Sequence, residues 1–200
     1  MSDREQIMNR VRNATASRPR TEYPQWDSGI VHSRGIRDSV DHVGLFCQKF
    51  DAVGGKMVKA IADLPEMLKD AASKKGYIDP ELLPLVRDVL TGFEIDTTFD
   101  RAKVDEYAFG ITRAAAGIAE SGSLLLTGGS TSSRMGALAP WIHIAILERA
   151  KIVPTIPDAI ALFGSERNAL FVTGPSKTAD VEGILIKGVH GPGVQMCCLV

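Results

Sequence analysis

Residues 141–147 read WIHIAIL and residues 123–127 read SLLLT, with a Gly-, Ser- and Thr-rich stretch at residues 128–136 between them. Both apolar stretches are short and carry apolar side chains at successive positions, which is typical of strands buried on both faces. Such strands occur mainly in sheets that helices cover on both sides. The pair of stretches therefore predicts an α/β fold.

Further strands and helices alternate on either side of this pair. The predicted strands cover residues 56–61, 93–99, 107–112, 169–173 and 195–200, and the predicted helices cover residues 43–53, 63–76, 79–92 and 157–164. The small residues 114–119 predict a turn or a single helical turn, and residues 176–184 predict a loop that opens a helix. This alternation predicts a mostly parallel sheet.

Length and charge favour one globular domain. The chain has 200 residues, a net charge of −1, 44% apolar residues and 24% charged residues, values that exclude wholesale disorder and give no case for nucleic-acid binding. Residues 1–40 predict an N-terminal arm, with a Ser2–Glu5 capping box opening a helix to about Ala14 and an extended segment at residues 17–38. Residues 41–200 predict the single α/β domain.

Two kinds of segment are not found in the sequence. No stretch approaches the ~20 apolar residues of a membrane span, and the N-terminus lacks a secretory signal, so a cytoplasmic protein is expected. Cys197 and Cys198 are adjacent, Cys47 is remote, and the histidines fall at no metal-ligand spacing. We therefore expect this chain to bind no metal or cofactor, and we expect His143 to be a hydrogen-bonded core residue.

Glu120 is the first candidate for chemistry. It lies among small residues at 117–123, so a substrate or another backbone can approach it closely. The carboxylate suits a nucleophile, a general base or an anchor for hydroxyl groups. The alternative is that it accepts backbone N–H groups and holds a turn.

A second candidate lies at residues 174–182, after a predicted strand and at the start of a predicted helix. Hydroxyls, an ammonium and free N–H groups at a helix start would form an anion site. Helix capping is the structural alternative, with acidic residues complementing the helix dipole. The ligand-binding residues predicted in this segment are Ser176, Lys177, Thr178, Asp180 and Glu182.

Two more loops carry candidate residues. His190 lies between glycines at residues 188–193, where its ring would be accessible as an acid, a base or a ligand, or would serve the turn. Arg134 ends the hydroxyl-rich loop at residues 128–134 and suits a carboxylate or phosphate, unless that loop is only a surface connection. All these loops are predicted at the carboxyl ends of strands, where open α/β sheets bind ligands.

The C-terminal half resembles a known family. Residues 115–126 (AAGIAESGSLLL) and 171–192 (FVTGPSKTADVEGILIKGVHGP) resemble the LUD-domain family and, more narrowly, its lactate-utilisation protein C subfamily. The resemblance implies a three-layer α/β/α sandwich, similar to the sugar-phosphate isomerase and CoA-transferase group. It also implies a role in oxidising L-lactate to pyruvate with iron–sulfur partner subunits, which would hold the clusters.

Three functions follow as hypotheses. The first is a non-redox subunit that binds a small carboxylate through Arg134, Lys177 and the Ser176 segment, with Glu120 and His190 lining the pocket. The second is a stand-alone enzyme of the CoA-transferase or cyclo-ligase type, in which Glu120 is the nucleophile; here the likeness is one of fold only. The third is a metabolite-binding module. Whether the chain is an enzyme stays open at this point.

Overall fold

The computed structural model describes residues 2–16, 34–39, 41–128, 131, 133–163, 168–179 and 185–200, and it divides the chain into residues 1–31 and 32–200. The first unit contains helix α1 (Asp3–Thr15). The predicted capping box is confirmed: Ser2 Oγ accepts the Glu5 N–H at 3.4 Å, and the Glu5 carboxylate accepts the Ser2 N–H at 2.8 Å. Of the predicted extended segment, residues 17–33 lie outside the described residues.

The second unit holds the remaining elements. Its helices are α2 (Arg34–Arg37), α3 (His42–Ala52), α4 (Leu64–Met67), α5 (Leu83–Val86), α6 (Arg134–Leu138) and α7 (Ile156–Ala161). Its strands are β1 (Lys56–Val58), β2 (Lys75–Ile78), β3 (Glu94–Asp96), β4 (Phe109–Arg113), β5 (Ala116–Ile118), β6 (Ser123–Thr127), β7 (Ile142–Leu147), β8 (Ile152–Val153), β9 (Ala169–Val172), β10 (Lys177–Ala179), β11 (Leu185–Lys187) and β12 (Val194–Leu199). None of these described helices is long and apolar enough to cross a membrane.

A parallel sheet of six strands is the centre of the fold. Its strand order is β1-β12-β7-β4-β2-β3, and every pair in it is parallel. Strand β7 lies between β12 and β4, with Ile144 opposite Met196 on one side and Ile111 on the other. All six residues of β7 are buried. The predicted α/β class with a mostly parallel sheet is confirmed.

Two cores cover the two faces of this sheet. The first core joins one face to the helical turns near α4 and α5, and the second core joins the other face to α3 and to a second sheet of order β8-β5-β6-β9. Leu64, Leu68, Val86, Ile111, Ile144 and Cys198 belong to the first core, and Phe46, Phe50, Leu124, Leu126, Ala145 and Cys197 to the second. Alternate residues of one strand thus stabilise opposite layers.

Several predicted elements are wrong in type or length. The helices predicted at residues 63–76 and 79–92 are wrong in length: each is a 3₁₀ turn followed by one short α-helical turn, at residues 61–67 and 80–86, and Lys75 already begins β2. The small residues 114–119 include strand β5 instead of a turn, because β6 and β8 pair with it on either side. Residues 34–37 form a helical turn where an extended segment was expected. Residues 177–179 form β10, which pairs antiparallel with β11, so no helix begins at Ser176.

Candidate functional site

The turn at residues 120–123 connects β5 to β6 and packs against α3. Gly122 adopts a positive φ of 64°, and a Cβ there would lie 2.3 Å from the Phe50 backbone nitrogen. Ser121 Oγ donates to Ser123 Oγ at 2.8 Å, and Ser123 Oγ lies 2.6 Å from Thr173 Oγ1. A hydroxyl chain therefore connects this turn to the second segment of the resemblance.

Glu120 stabilises the start of α7. Its carboxylate Oε1 accepts the N–H of Ile156, the first residue of α7, at 2.5 Å, and its own N–H donates to the Pro154 carbonyl at 3.1 Å. The first N–H groups of a helix have no acceptor within the helix, and they favour a negative charge nearby. The geometry thus shows the turn-holding contact considered for Glu120. Its role as a nucleophile stays a prediction.

Lys177 lies at the end of α3. Its ammonium donates to the carbonyl of Val53, the residue after α3, at 3.0 Å. Gly174, with a φ of 74°, also packs there, since a Cβ would come 2.5 Å from the same carbonyl oxygen. The C-terminus of a helix carries partial negative charge and favours a cation. No helix begins at residues 176–179, which include strand β10, and the anion-binding role of Ser176, Lys177 and Thr178 stays a prediction. Asp180 and Glu182 lie outside the described residues.

Ser176 contacts the backbone of His190 and of Pro192. The Ser176 N–H donates to the Pro192 carbonyl at 2.9 Å, and Ser176 Oγ accepts the N–H of His190 at 3.4 Å. The His190 side chain is exposed, and Thr178 lies on β10 opposite Ile186. His190 precedes β12, so it lies at the amino edge of the parallel sheet. The expectation that it would lie at a carboxyl edge is wrong.

Arg134 begins α6, whose contacts are with β4 and β7. Ser133 caps this helix through an N–H of Gly136 at 3.3 Å. The described contacts of Glu120 are with residues around α7 instead. Within the described part of the chain, no hydrogen bond or ion pair joins Glu120, Arg134 and His190. The structure therefore brings Ser176 to His190, and it gives Glu120, Arg134 and Lys177 separate surroundings.

A buried polar chain crosses the three central strands. His143 on β7 contacts Thr112 Oγ1 of β4 through Nε2 at 2.8 Å and Gln195 Oε1 of β12 through Nδ1 at 2.9 Å. All three side chains are buried, and burial lowers the pKa of His143 to about 4. The prediction of a hydrogen-bonded core histidine is confirmed. Its partners were not predicted, although polar residues inside apolar strands were the available signal.

A second polar group lies where the carboxyl ends of β2, β4 and β7 meet. Tyr77 donates its hydroxyl to Asp79 Oδ1 at 2.8 Å, and the Arg113 N–H donates to Asp79 Oδ2 at 2.8 Å. The Arg113 guanidinium contacts Glu81 at 2.8 Å and Glu148 at 3.2 Å. We name these five residues the carboxyl-edge cluster. Open α/β sheets bind ligands at this edge. The sequence pattern did not predict the cluster, because it indicated a long helix that begins at Asp79.

A comparison with protein-family models assigns most of this chain to one family. Residues 29–200 match the model of the LUD domain. The chain belongs to the LUD domain family. Curated relatives include "Lactate utilization protein C" from Geobacillus sp. strain WCH70, which is 32% identical over 65% of this chain and 65% of its own length. The protein of the same name from Bacillus subtilis strain 168 is 34% identical over 45% of this chain and 41% of its own length.

A solved structure supports the fold of this LUD domain. The crystal structure of a DUF162 family protein from Deinococcus radiodurans superposes with a TM-score of 0.59 and 20% identity. The match covers 80% of this chain and 96% of that one, and it supports the fold alone. The chain spans between about 40% and 65% of the length of the curated relatives quoted above.

The described donor side chains of this LUD domain include no cluster suited to a metal ion. Among the described residues, no group of three or more His, Cys, Asp and Glu side chains is placed to hold a metal ion. Cys197 and Cys198 belong to opposite cores, so these adjacent thiols face away from each other. An iron–sulfur cluster needs several thiolates converging on one point. Cys197 and Cys198 each contribute to the packing of one core.

Proposed function

We propose that this LUD-domain chain takes part in lactate utilisation, in the cytoplasm, as a subunit that does not itself carry electrons. The observation that carries the proposal is its similarity to several curated proteins named "Lactate utilization protein C". The similarity includes the LUD domain match over residues 29–200. Because the chain spans only part of those relatives, the activity of the whole system belongs to the proposal.

The electrons released by lactate oxidation need an acceptor, which supports a role for partner subunits. Oxidation of L-lactate to pyruvate breaks the C–H and O–H bonds at the hydroxyl-bearing carbon, and it releases two electrons and two protons. The buried thiols of Cys197 and Cys198 face different cores and cannot share a cluster. We therefore propose that iron–sulfur partner subunits accept the electrons. This chain would contribute assembly or substrate handling.

Substrate handling requires a site for a small carboxylate. Lys177 already donates to the Val53 carbonyl, which leaves Arg134 as the predicted cation that best suits this role. A guanidinium binds a carboxylate through two parallel hydrogen bonds. We propose Arg134 as the carboxylate anchor. Ser176 and His190, which contact each other, stay predicted ligand-binding and catalytic residues near the amino edge.

The test is a tagged pull-down from the native cells, assayed for dye reduction that depends on L-lactate. Activity, iron and acid-labile sulfide should be enriched with the tagged chain. Cells that lack the chain should lose growth on L-lactate and keep growth on pyruvate. Complementation with Arg134→Met should restore the complex but not full growth, and Arg87→Met, at an exposed arginine in a different segment, is the matched control. Wild-type lactate oxidation without the chain would refute the proposal.

A further inference from the structure

A cavity of about 640 Å³ opens at the amino edge of the parallel sheet, on the opposite edge from the carboxyl-edge cluster. Its walls come from the starts of strands: Lys75 begins β2, Glu94 begins β3, and Trp141 immediately precedes β7. Asp105 and Glu106 line it as well. None of these residues belongs to the site predicted from the sequence.

Negative charge exceeds positive charge in this cavity. Lys75 is its lining cation, and it contacts Glu94 at 2.9 Å and Glu106 at 2.7 Å. Its ammonium also lies 3.9 Å from Asp96, and the hydrogen bonds to Glu106 and Glu94 raise the pKa of Lys75. The Lys75 side chain is only 14% exposed, whereas those of Glu94 and Glu106 are 67% and 52% exposed. The carboxylates therefore keep surfaces that a second cation can reach.

An aromatic surface lies beside these carboxylates. Trp141 lines the cavity and is 53% exposed, although its indole packs against the backbones of Gly188 and Gly193. Trp141 therefore adds an apolar surface to the acidic lining of the cavity. Tryptophan is enriched among the residues that dominate protein interfaces.

We propose that this cavity is a docking pocket for an arginine side chain of another polypeptide. Charge complementarity selects a cation, since one lysine faces three lining carboxylates. A guanidinium fits better than an ammonium because it binds a carboxylate in a fork and stacks on an indole face. The apolar surface of Trp141 fits a large apolar residue next to that arginine. The proposal does not depend on the lactate role.

Fluorescence of Trp141 in the full chain tests the proposal. The sequence contains two tryptophans, so Trp26→Phe leaves Trp141 as the only reporter. The probe is the peptide acetyl-Leu-Arg-Leu-amide, compared with the same peptide carrying citrulline in place of arginine, and with arginine amide alone. The arginine peptide should change the emission saturably. The citrulline peptide and arginine amide should bind at least about tenfold more weakly, because each lacks the charge or the apolar neighbours.

Two variants place the binding in the cavity. Glu94→Gln should weaken binding of the arginine peptide, and Asp105→Asn should do so while leaving all three Lys75 ion pairs in place. Glu66→Gln, at an exposed carboxylate on α4, is the matched control and should bind as the parent does. Equal binding of the citrulline peptide, or unchanged binding in both cavity variants, would overturn the proposal. Arginine amide binding as tightly as the peptide would indicate a metabolite site and would also overturn it.

Discussion

His143 is an imidazole enclosed by the sheet, with both ring nitrogens bonded to side chains of neighbouring strands. A buried polar group is tolerated only when its hydrogen bonds are made, and here Thr112 and Gln195 make them. Protonation would put an unsolvated charge between two cores. Burial accordingly lowers the pKa of His143 from 6.5 to about 4.

This shift predicts a loss of stability in mild acid. Between pH 6.5 and 4 the unfolded chain binds a proton that the native chain excludes, so the free energy of unfolding falls as the pH falls. The full loss is about 3 kcal/mol, at about 1.4 kcal/mol per pKa unit. Urea unfolding of wild type and His143→Gln across this range should show a shallower pH dependence in the variant. His190→Gln, which removes an exposed imidazole, is the matched control; an unchanged slope in His143→Gln would contradict the prediction.

Gly122 and Gly174 are required for a different physical reason, close approach to α3. Each combines a positive φ with an imaginary Cβ inside contact distance of the α3 backbone. Alanine at either position would therefore meet two costs, the left-handed backbone and the clash. Gly92 meets only the first, because its φ is 86° and no atom lies within 4 Å of its Cβ.

We expect Gly122→Ala and Gly174→Ala to lower the free energy of unfolding by about 2–4 kcal/mol, and Gly92→Ala by about 1 kcal/mol. The measurement is the urea midpoint at constant slope. The two larger losses would show that α3 cannot move away from the turns that contain Gly122 and Gly174. Equal losses at all three positions would mean that the positive φ alone causes the loss in free energy of unfolding. In that case α3 shifts to make room for the added methyl group.

At the scale of elements, two charged side chains each stabilise one helix end. Glu120 binds the N-terminus of α7, and Lys177 binds the carbonyl that follows α3. Both charges have the sign that the helix dipole favours. Glu120 and Lys177, two residues that the sequence suggested for a ligand site, thus each contact one helix end in this structure.

Lys177→Met should lower the free energy of unfolding by about 0.5 kcal/mol, through the lost contact with the end of α3. Lys187, opposite Lys177 in the β10–β11 pair, provides the control variant Lys187→Met, which should have no effect on α3. Thermal and urea unfolding compare the two. If both variants unfold alike, the ammonium does not stabilise α3, and the ligand-binding role of Lys177 gains support.

Glu120→Ala should cost about 1 kcal/mol, whereas Glu120→Gln should cost less, because the amide oxygen can still accept the Ile156 N–H. Growth on L-lactate should survive Glu120→Gln if the residue acts as a cap. Loss of that growth in a variant of wild-type stability would instead favour the nucleophile hypothesis. Unfolding curves and growth rates of the same two variants decide between these roles.

The pattern of apolar residues along the sequence predicted the bounds of some strands well and missed other strands. Strand β6 has the predicted bounds, β7 begins one residue later than predicted, and β12 begins and ends one residue earlier, because strands buried on both faces leave a continuous apolar run. Strand β5 contains Ala116 and Gly117, whose low strand propensity hid a segment that pairing with its neighbours creates. The contacts of Glu120 and Lys177 join residues 36 and 124 positions apart, a relation that residue types do not reveal.

At the scale of the whole molecule, two cores share one sheet. A buried cysteine lies in each core, so thiol reactivity measures how readily each core opens. Cys198 packs in the first core and Cys197 in the second, and burial raises the pKa of both thiols. Burial raises the pKa of the Cys47 thiol as well, but Cys47 is only partly buried, so a reagent can reach it. Thiolates are the reactive form, so buried thiols of raised pKa react slowly.

Native protein should therefore release one equivalent of colour quickly with a thiol-reactive disulfide dye, from Cys47, and the remaining two only on unfolding. Cys47→Ala should abolish the fast phase and leave the slow one. Peptide mapping after brief alkylation identifies the site. Fast labelling of Cys198 alone would show that the first core opens independently of the second.

The position of β12 between β1 and β7 also has a consequence for how the protein is made. Its two neighbours, at residues 56–58 and 142–147, are synthesised long before residues 194–199 leave the ribosome. Until then, the two halves of the sheet have no strand to join them, and the facing edges of β1 and β7 stay open to other chains. The nascent protein thus depends on β12 to close the sheet, so translation that stops short of β12 yields a chain that chaperones or proteases must handle.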